Sequence, residues 1–482
     1  MKTGLNAKRK LVILILLSTL ALLGRAQSNL VFYNSNDQIN SPGFNPAFLT
    51  VQKKFTFSIF PISGMSVGYN DQKAVNGMLK DFLSGSLDTA AMKSVFNSLL
   101  KKDLFSQRFE TSLFSFGYNS DIGSFSFRIN EIEQIRSSFK GEITDFMTDP
   151  AVPTVTLNQP QILSADMLHY REYSLGYARE LIKNKMSVGL RAKIYFGKAS
   201  LFPEVPIEVT SEKGTYFLET NGPIKTSLPV NFVLDKDSII TGATPSENFT
   251  ALNYLLNNKN TGLGIDLGFT YKINSKIGVS ASIVDLGKIN WKSNLNRLNL
   301  KGKYEILPEY IEPTKPGEDF ITKSPTFSID EGNLNQLFKS GIDSLSTYST
   351  RLPTSFYTGL QYQINPSLQF GVVDRYTKSK GMNQNSFSFT ANYEVNKKLT
   401  IISGYSTIGK SYFNLPLAVI YNWDGGQAFL GTDNLVSIIF PTKSDYSGIA
   451  FGTCFYLFRP KVKYKESEYL PFYKEKKHNT IK

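Results

Sequence analysis

Residues 263–273 alternate without a break. Leu263, Ile265, Leu267, Phe269, Tyr271 and Ile273 are apolar, and between them stand Gly264, Asp266, Gly268, Thr270 and Lys272. Strand side chains point to opposite faces with a period of two, so this segment is a strand with one greasy face and one wet face. The pattern recurs at Phe55–Ile59, Phe114–Tyr118, Phe125–Ile129, Met186–Phe196 and Phe387–Val395. Many runs are about nine to twelve residues long, closer to a tilted membrane-crossing strand than to the shorter strand usual in water. In water the greasy face needs a second layer; in lipid it does not.

A leader precedes these strands. Lys2, Lys8, Arg9 and Lys10 form a basic head, Leu11–Leu23 an apolar run, and Gly24-Arg25-Ala26 a cleavage site between Ala26 and Gln27. Removing residues 1–26 lowers the formal charge from +13 to +8. Cys454 is the only cysteine, so no intrachain disulfide exists, and no later apolar run is long enough for a membrane-spanning helix. The 36 Phe and 25 Tyr, against two Trp, suit the aromatic girdles of a barrel. The expected fold is all-β, a transmembrane antiparallel barrel of about 14 strands (12–16) with helical loop insertions. Residues 27–53 precede the barrel, 54–458 form it, and 459–482 are a basic tail. A soluble secreted β-protein is the rival fold.

Asn274, Asn365, Asn396 and Asp424-Gly425-Gly426 mark tight hairpin turns between alternating runs, where Asn, Asp and Gly tolerate positive φ. The weakest strand assignments fall at 203–235 and 411–440. Three insertions are expected, at 74–100, 131–168 and 288–353. The first reads as a helical hairpin, with Val75, Met78, Leu79 and Phe82 on one stripe. In the second, Ile132, Ile135, Phe139 and Ile143 share a helical face. The third is Pro-rich and ends in a helix carrying Leu334, Leu337, Phe338, Ile342 and Leu345. Amphipathic helices of this length need cover, and the barrel mouth is the expected cover.

Chemistry for an enzyme is missing. His169 and His478 lie far apart and, with Cys454, make no metal set; no cofactor is expected. Ser164, Asp166 and His169 do not converge as a triad on one strand. Gly262, Gly264 and Gly268 have the wrong spacing for a dinucleotide loop and continue a strand face. No motif supports nucleic-acid binding. The wet-face charges Arg128, Arg191, Lys193, Asp266, Lys272, Arg375 and Glu394 are candidates to line a lumen, either as a solute path or as a self-neutralising network that holds a plug. Inward charges are expected to be tolerated: Leu267→Arg costs more than Gly268→Arg or Thr270→Arg, given room in the lumen. Cys454 faces the lumen and is open to a small polar thiol reagent if the interior is wet.

Just before the first strand stands Asn40-Ser41-Pro42-Gly43-Phe44-Asn45-Pro46-Ala47-Phe48. Its Asn-Pro-Ala core resembles a segment near the mature N-terminus of several barrel families. They include the FadL-type transporters of hydrophobic compounds and the PorV- and PorP/SprF-like barrels of type IX secretion. The chain is most similar to an uncharacterised Bacteroidota outer-membrane barrel family, over about residues 30–460. The resemblance implies an outer-membrane location, with membrane lipid around a monomeric, non-enzymatic barrel. It does not transfer a substrate, and a FadL-type plug is not recognisable in the sequence. The functional expectation is a gated channel or transporter for hydrophobic or small compounds. The alternative is a scaffold that holds an envelope or secretion protein.

Overall fold

A computed structural model describes residues 29–457, apart from 36–37, 52–54, 71–104, 140–160, 213–214, 235, 237, 239, 248, 310–325, 329–339, 344, 381–382 and 441–443. The chain forms a closed antiparallel barrel of 14 strands. β1 (Phe55–Ile59) and β2 (Met65–Asn70) are two halves of one crossing, and each pairs with the last strand on one side and with β3 (Phe105–Ser120) on the other. β4 (Gly123–Phe139), β5 (Gln161–Ile182) and β6 (Met186–Glu212) follow in order. The lower half of β6 then pairs with β10 (Asn260–Lys272), which pairs with β11 (Ile277–Trp291). The ring continues through β16 (Thr354–Asn365), β17 (Leu368–Lys378), β18 (Gln384–Asn396) and β19 (Leu399–Ile408). It closes through β21 (Leu417–Trp423), β22 (Gly426–Thr432) and β23 (Tyr446–Tyr456).

The alternation sets which face meets what. Along β10, Leu263, Ile265, Leu267 and Phe269 are exposed on the outside, whereas Asp266, Thr270 and Lys272 are buried inside. Leu190 and Ile194 face out on β6, opposite buried Arg191 and Lys193. An apolar outer belt around a polar interior is stable where lipid covers the belt, and closure leaves no sheet edge in the ring.

The two barrel ends differ. Tight turns at 121–122, 183–185, 274–276, 366–367, 397–398 and 424–425 gather at one end. Asn274 Oδ1 accepts from the N–H groups of Lys276 (2.8 Å) and Ile277 (2.9 Å). Asn365 and Asn396 repeat this with Ser367 and Leu368, and with Lys398 and Leu399. These asparagines therefore act through a side-chain cap and not through the positive φ that the sequence suggested. Asn184, at φ 54°, is the turn residue that uses the left-handed region.

The opposite end carries the long connections. There the upper half of β6 leaves β10 and pairs with β7 (Thr215–Ser227), which pairs with β12 (Leu295–Glu309). β14 (Ser340–Asp343) adds to β12, while β15 (Tyr348–Arg351) pairs with the end of β11. The short pieces β8 (Val230–Leu234) and β9 (Ile240–Pro245) pair with each other, and β13 (Thr326–Ser328) pairs with β12. Helix α1 (Ala251–Leu255) and, past β20 (Ser411–Asn414), α2 (Leu435–Ile439) are single turns.

Two insertion readings are corrected here. Residues 131–139 continue β4, and β5 already begins at Gln161, so Ile132, Ile135 and Phe139 are strand residues and not a helical face. Pairing with β5 across the full length outweighs the helical spacing of three isoleucines. Similarly, 288–353 holds the rest of β11 and then β12, β14 and β15; Ile342 is a strand residue of β14. Residues 74–100, Ile143, Leu334, Leu337 and Phe338 lie outside the described residues, as do Ala26, Gln27 and His478.

Candidate functional site: a filled lumen and its charged chamber

Residues 29–51 run inside the barrel. With no strand to pair with, they fold into three 3-10 turns, Leu30–Phe32, Ser41–Gly43 and Pro46–Val51. Leu30, Val31, Phe32, Tyr33, Ala47 and Phe48 are at most 2% exposed. All but Ala47 pack against wall residues Tyr357, Ile402, Ile420, Phe429 and Cys454 in one apolar cluster. Tyr33 stacks on Tyr357 at 5.4 Å and meets Phe48 edge-on at 5.5 Å. Its phenol shares a hydrogen bond with Ser280 Oγ (3.1 Å), and burial pushes its pKa up to about 12. The tight-turn half of the lumen is therefore a packed core, and the plug that the sequence did not reveal is this segment.

The Asn-Pro-Ala sequence sits against two wall glycines. Gly189 and Gly268 are cross-strand partners on β6 and β10. A Cβ on Gly189 would run into Pro46 and Ala47, and one on Gly268 into Asn45. Their hydrogens leave a flat patch on which the segment lies. Asn45 Nδ2 donates to the carbonyls of Phe269 (3.1 Å) and Ala281 (3.3 Å), and its Oδ1 accepts from Ala47 N–H (2.9 Å). One buried side chain thus joins the segment to two wall strands.

Other anchors come from around the ring. The Asn34 carbonyl accepts from Gln361 (3.1 Å), Gln369 (2.9 Å) and Asn392 (3.1 Å). Asp433 Oδ1 takes Val31 N–H at 2.9 Å, and Gln427 Oε1 takes Ile39 N–H at 2.9 Å. Arg128 donates to the Ile39 carbonyl at 2.7 Å, and Arg191 to that of Pro42. A segment without secondary-structure partners has its buried backbone groups met by wall side chains.

Toward the long-loop end a chamber of about 150 Å³ opens above this segment. Asn29, Asn40, Gly43 and Phe44 form its floor, and the walls carry Arg108, Arg128, Arg136, Arg191, Lys193 and Arg375. Glu110, Glu172 and Asp285 are the lining carboxylates. Arg191 pairs with Asp266 at 3.0 Å. Lys193 reaches Asp266 (2.9 Å), Glu172 (3.2 Å) and Asp285 (2.5 Å). Arg108 pairs with Glu110 at 3.1 Å and approaches Asp285 at 3.9 Å.

A β-bulge organises this network. Ile265 faces Leu286 and Leu267 faces Ile283, so Val284 and Asp285 together oppose Asp266. Asp285 adopts φ 61°, and its N–H is held by Asp266 Oδ1 at 2.8 Å. A non-glycine residue in the left-handed region stores backbone strain, which the surrounding bonds must hold. Here the strain turns a carboxylate of β11 toward Lys193.

The expected lumen residues divide into groups. Arg128, Arg191, Lys193 and Arg375 border the chamber, and Asp266 lies directly behind it, bonded to two of them. Lys272 is buried near the tight-turn end of β10. Glu394 is exposed beside the 397–398 turn and is not part of the network. Glu172, Asp285 and Arg108 were missed: the run of apolar neighbours that marks a clean alternation is broken around each. His169 lies at the rim, between Glu131 Oε1 (2.9 Å) and the Tyr254 hydroxyl (2.5 Å), with Arg171 on the same Glu131.

A family profile matches residues 46–433, from the Asn-Pro-Ala proline to the aspartate that holds Val31. The chain belongs to DUF5723, a family of unknown function. No curated protein matches it. Among solved structures, the DUF5723 barrel is similar to the toluene transporter TbuX of Ralstonia pickettii. Identity is 12%, the TM-score is 0.41, and 87% of this chain and 93% of that one are covered. It is also similar to the Pseudomonas putida toluene transporter TodX, with 10% identity, a TM-score of 0.38, and 87% and 93% covered. Neither likeness bears on what the DUF5723 barrel carries.

Proposed function

We propose that this chain is an outer-membrane solute channel, non-enzymatic, whose lumen is gated by its own residues 29–51. The observation that carries the reading is the mode of attachment. The segment is held in the lumen by side-chain hydrogen bonds and apolar packing, without a strand pairing to the wall among the described residues. Such contacts can be broken while the ring of strand pairings stays intact. The apolar outer belt supports a membrane location, and the chamber supplies an entrance from the long-loop end.

The test is conductance of the full chain in planar bilayers, before and after Asn45→Ala. The native protein should conduct little; the variant should conduct more, with its barrel still folded. Equal conductance from two folded proteins would remove the segment as the gate. A scaffold is the second reading, favoured by the sheet of β7, β12 and β14 that extends from the upper half of β6. Stable co-purification of an envelope protein, lost when that sheet is altered while conductance is unaffected, would promote it.

A further inference from the structure

The chamber's charges do not cancel in pairs. Four carboxylates, Glu110, Glu172, Asp266 and Asp285, share three cations, Arg108, Arg191 and Lys193, and with Arg128 and Arg375 added five cations stand against those four carboxylates. Arg136 stands across from Asp166 in the β4–β5 register. Arg128 and Arg375 remain. Neither has a carboxylate within ion-pair distance among the described residues. Arg128 donates to a carbonyl of the plug, and Arg375 donates to Ser386 Oγ at 3.1 Å. Arg375 is only 7% exposed, and its Nε–H has no hydrogen-bond partner among the described residues. The Nε–H groups of Arg108 and Arg191 are in the same condition.

Position adds to composition. Arg128 lies on β4 and Arg375 on β17, on opposite sides of the ring, yet both border the same small chamber. Buried cations without an ion-pair partner are costly, and an anion bound by their guanidinium groups offsets that cost with charge-assisted, bidentate hydrogen bonds. Lysine and arginine facing a pore also favour anions over cations at close range. The floor and walls expose amides, hydroxyls and charges, with Phe44, Ile132, Val284 and Tyr357 among few apolar groups. That lining does not suit an apolar solute.

We infer that the chamber binds small oxyanions, carboxylates or phosphates, and that these are the solutes admitted from the long-loop end. The inference rests on the channel reading for passage, but not for binding. Full-length protein in detergent can be titrated calorimetrically with inorganic phosphate, citrate and, for contrast, glucose. Phosphate and citrate should bind and glucose should not. Arg128→Gln and Arg375→Gln should each weaken phosphate binding by about tenfold or more, the loss of a charged hydrogen bond. Lys276→Gln, on an exposed turn, should leave it unchanged. Heat-modifiable electrophoretic mobility identifies folded variants, and Arg375→Lys, which keeps the charge, should retain part of the affinity if Arg375→Gln unfolds. Absence of phosphate binding to the folded native protein, glucose binding as tight as phosphate, or equal losses from Lys276→Gln would overturn the inference. Phosphate binding with no conductance gain from Asn45→Ala leaves an anion site and removes residues 29–51 as the gate. A conductance gain without phosphate binding removes the anion site alone.

Discussion

At the scale of single residues, adjacent positions on β10 meet opposite environments. Leu267 lies on the outer face at 45% exposure, so in the proposed membrane Leu267→Arg places a charge in the apolar belt and should cost about 2–4 kcal/mol near the midplane. The sequence suggested that Gly268→Arg is milder because the wet face borders a lumen. That expectation assumed room in the lumen, and at Gly268 there is none. Gly268 is pressed against Asn45 and Ala47, and an arginine there must expel the plug or distort β10. Gly268→Arg should therefore damage the protein at least as much as Leu267→Arg, or leave a barrel with an open lumen. Urea unfolding from lipid vesicles separates the two variants, and a Gly268→Arg protein as stable and as closed as the native one would refute the contact. Facing was legible in the alternation of 263–273. Room was not, because what fills a lumen lies more than 200 positions away in the chain.

At the scale of elements, the N-terminal segment turns a wet interior into a dry one. Cys454 on β23 faces inward, as the alternation of Ala450, Gly452 and Cys454 implies, but it is fully buried in the cluster formed with Ile39 and Phe44. A small polar maleimide should leave Cys454 unlabelled in the folded protein and label it after unfolding. In Asn45→Ala, labelling of the folded barrel should become measurable, because the anchor of the covering segment is weakened. Rapid labelling of the native protein would contradict the packing around it. The barrel strands were legible from their period of two, and the hairpin asparagines from their type. The plug was not legible, although its Leu30–Tyr33 and Asn-Pro-Ala stretches stand in plain view. Neither has a period, and short 3-10 turns held by distant side chains leave no local signature. The extension of β4 was misread as a helical face, and Ile342 of β14 as part of a helix, because cross-strand pairing, not local spacing, decides them.

At the scale of the whole molecule, closure joins the two ends of the chain. β23 pairs with β22 on one side and with both β1 and β2 on the other. A chain ending at Asn434 would leave the edges of β1, β2 and β22 unpaired, and in the proposed membrane unsatisfied backbone groups are expensive. Such a chain should fail to form the compact, heat-modifiable species seen on electrophoresis for closed barrels; a truncated chain that does form it would show that the seam is dispensable. The same seam has a consequence for assembly. The ring cannot exist before its last strand is made, and the segment that fills the lumen is made before its first. Residues 29–51 contact β4, β6, β10, β11, β16 through β19, β22 and the loop that follows it. Enclosing a segment already gathered against a curling sheet requires only that the sheet's two edges meet. Threading it later through a finished ring would require every one of those wall contacts to be found from one narrow end. On that route residues 29–51 wait inside for the last strand, and the step that seals the sheet also traps its filling.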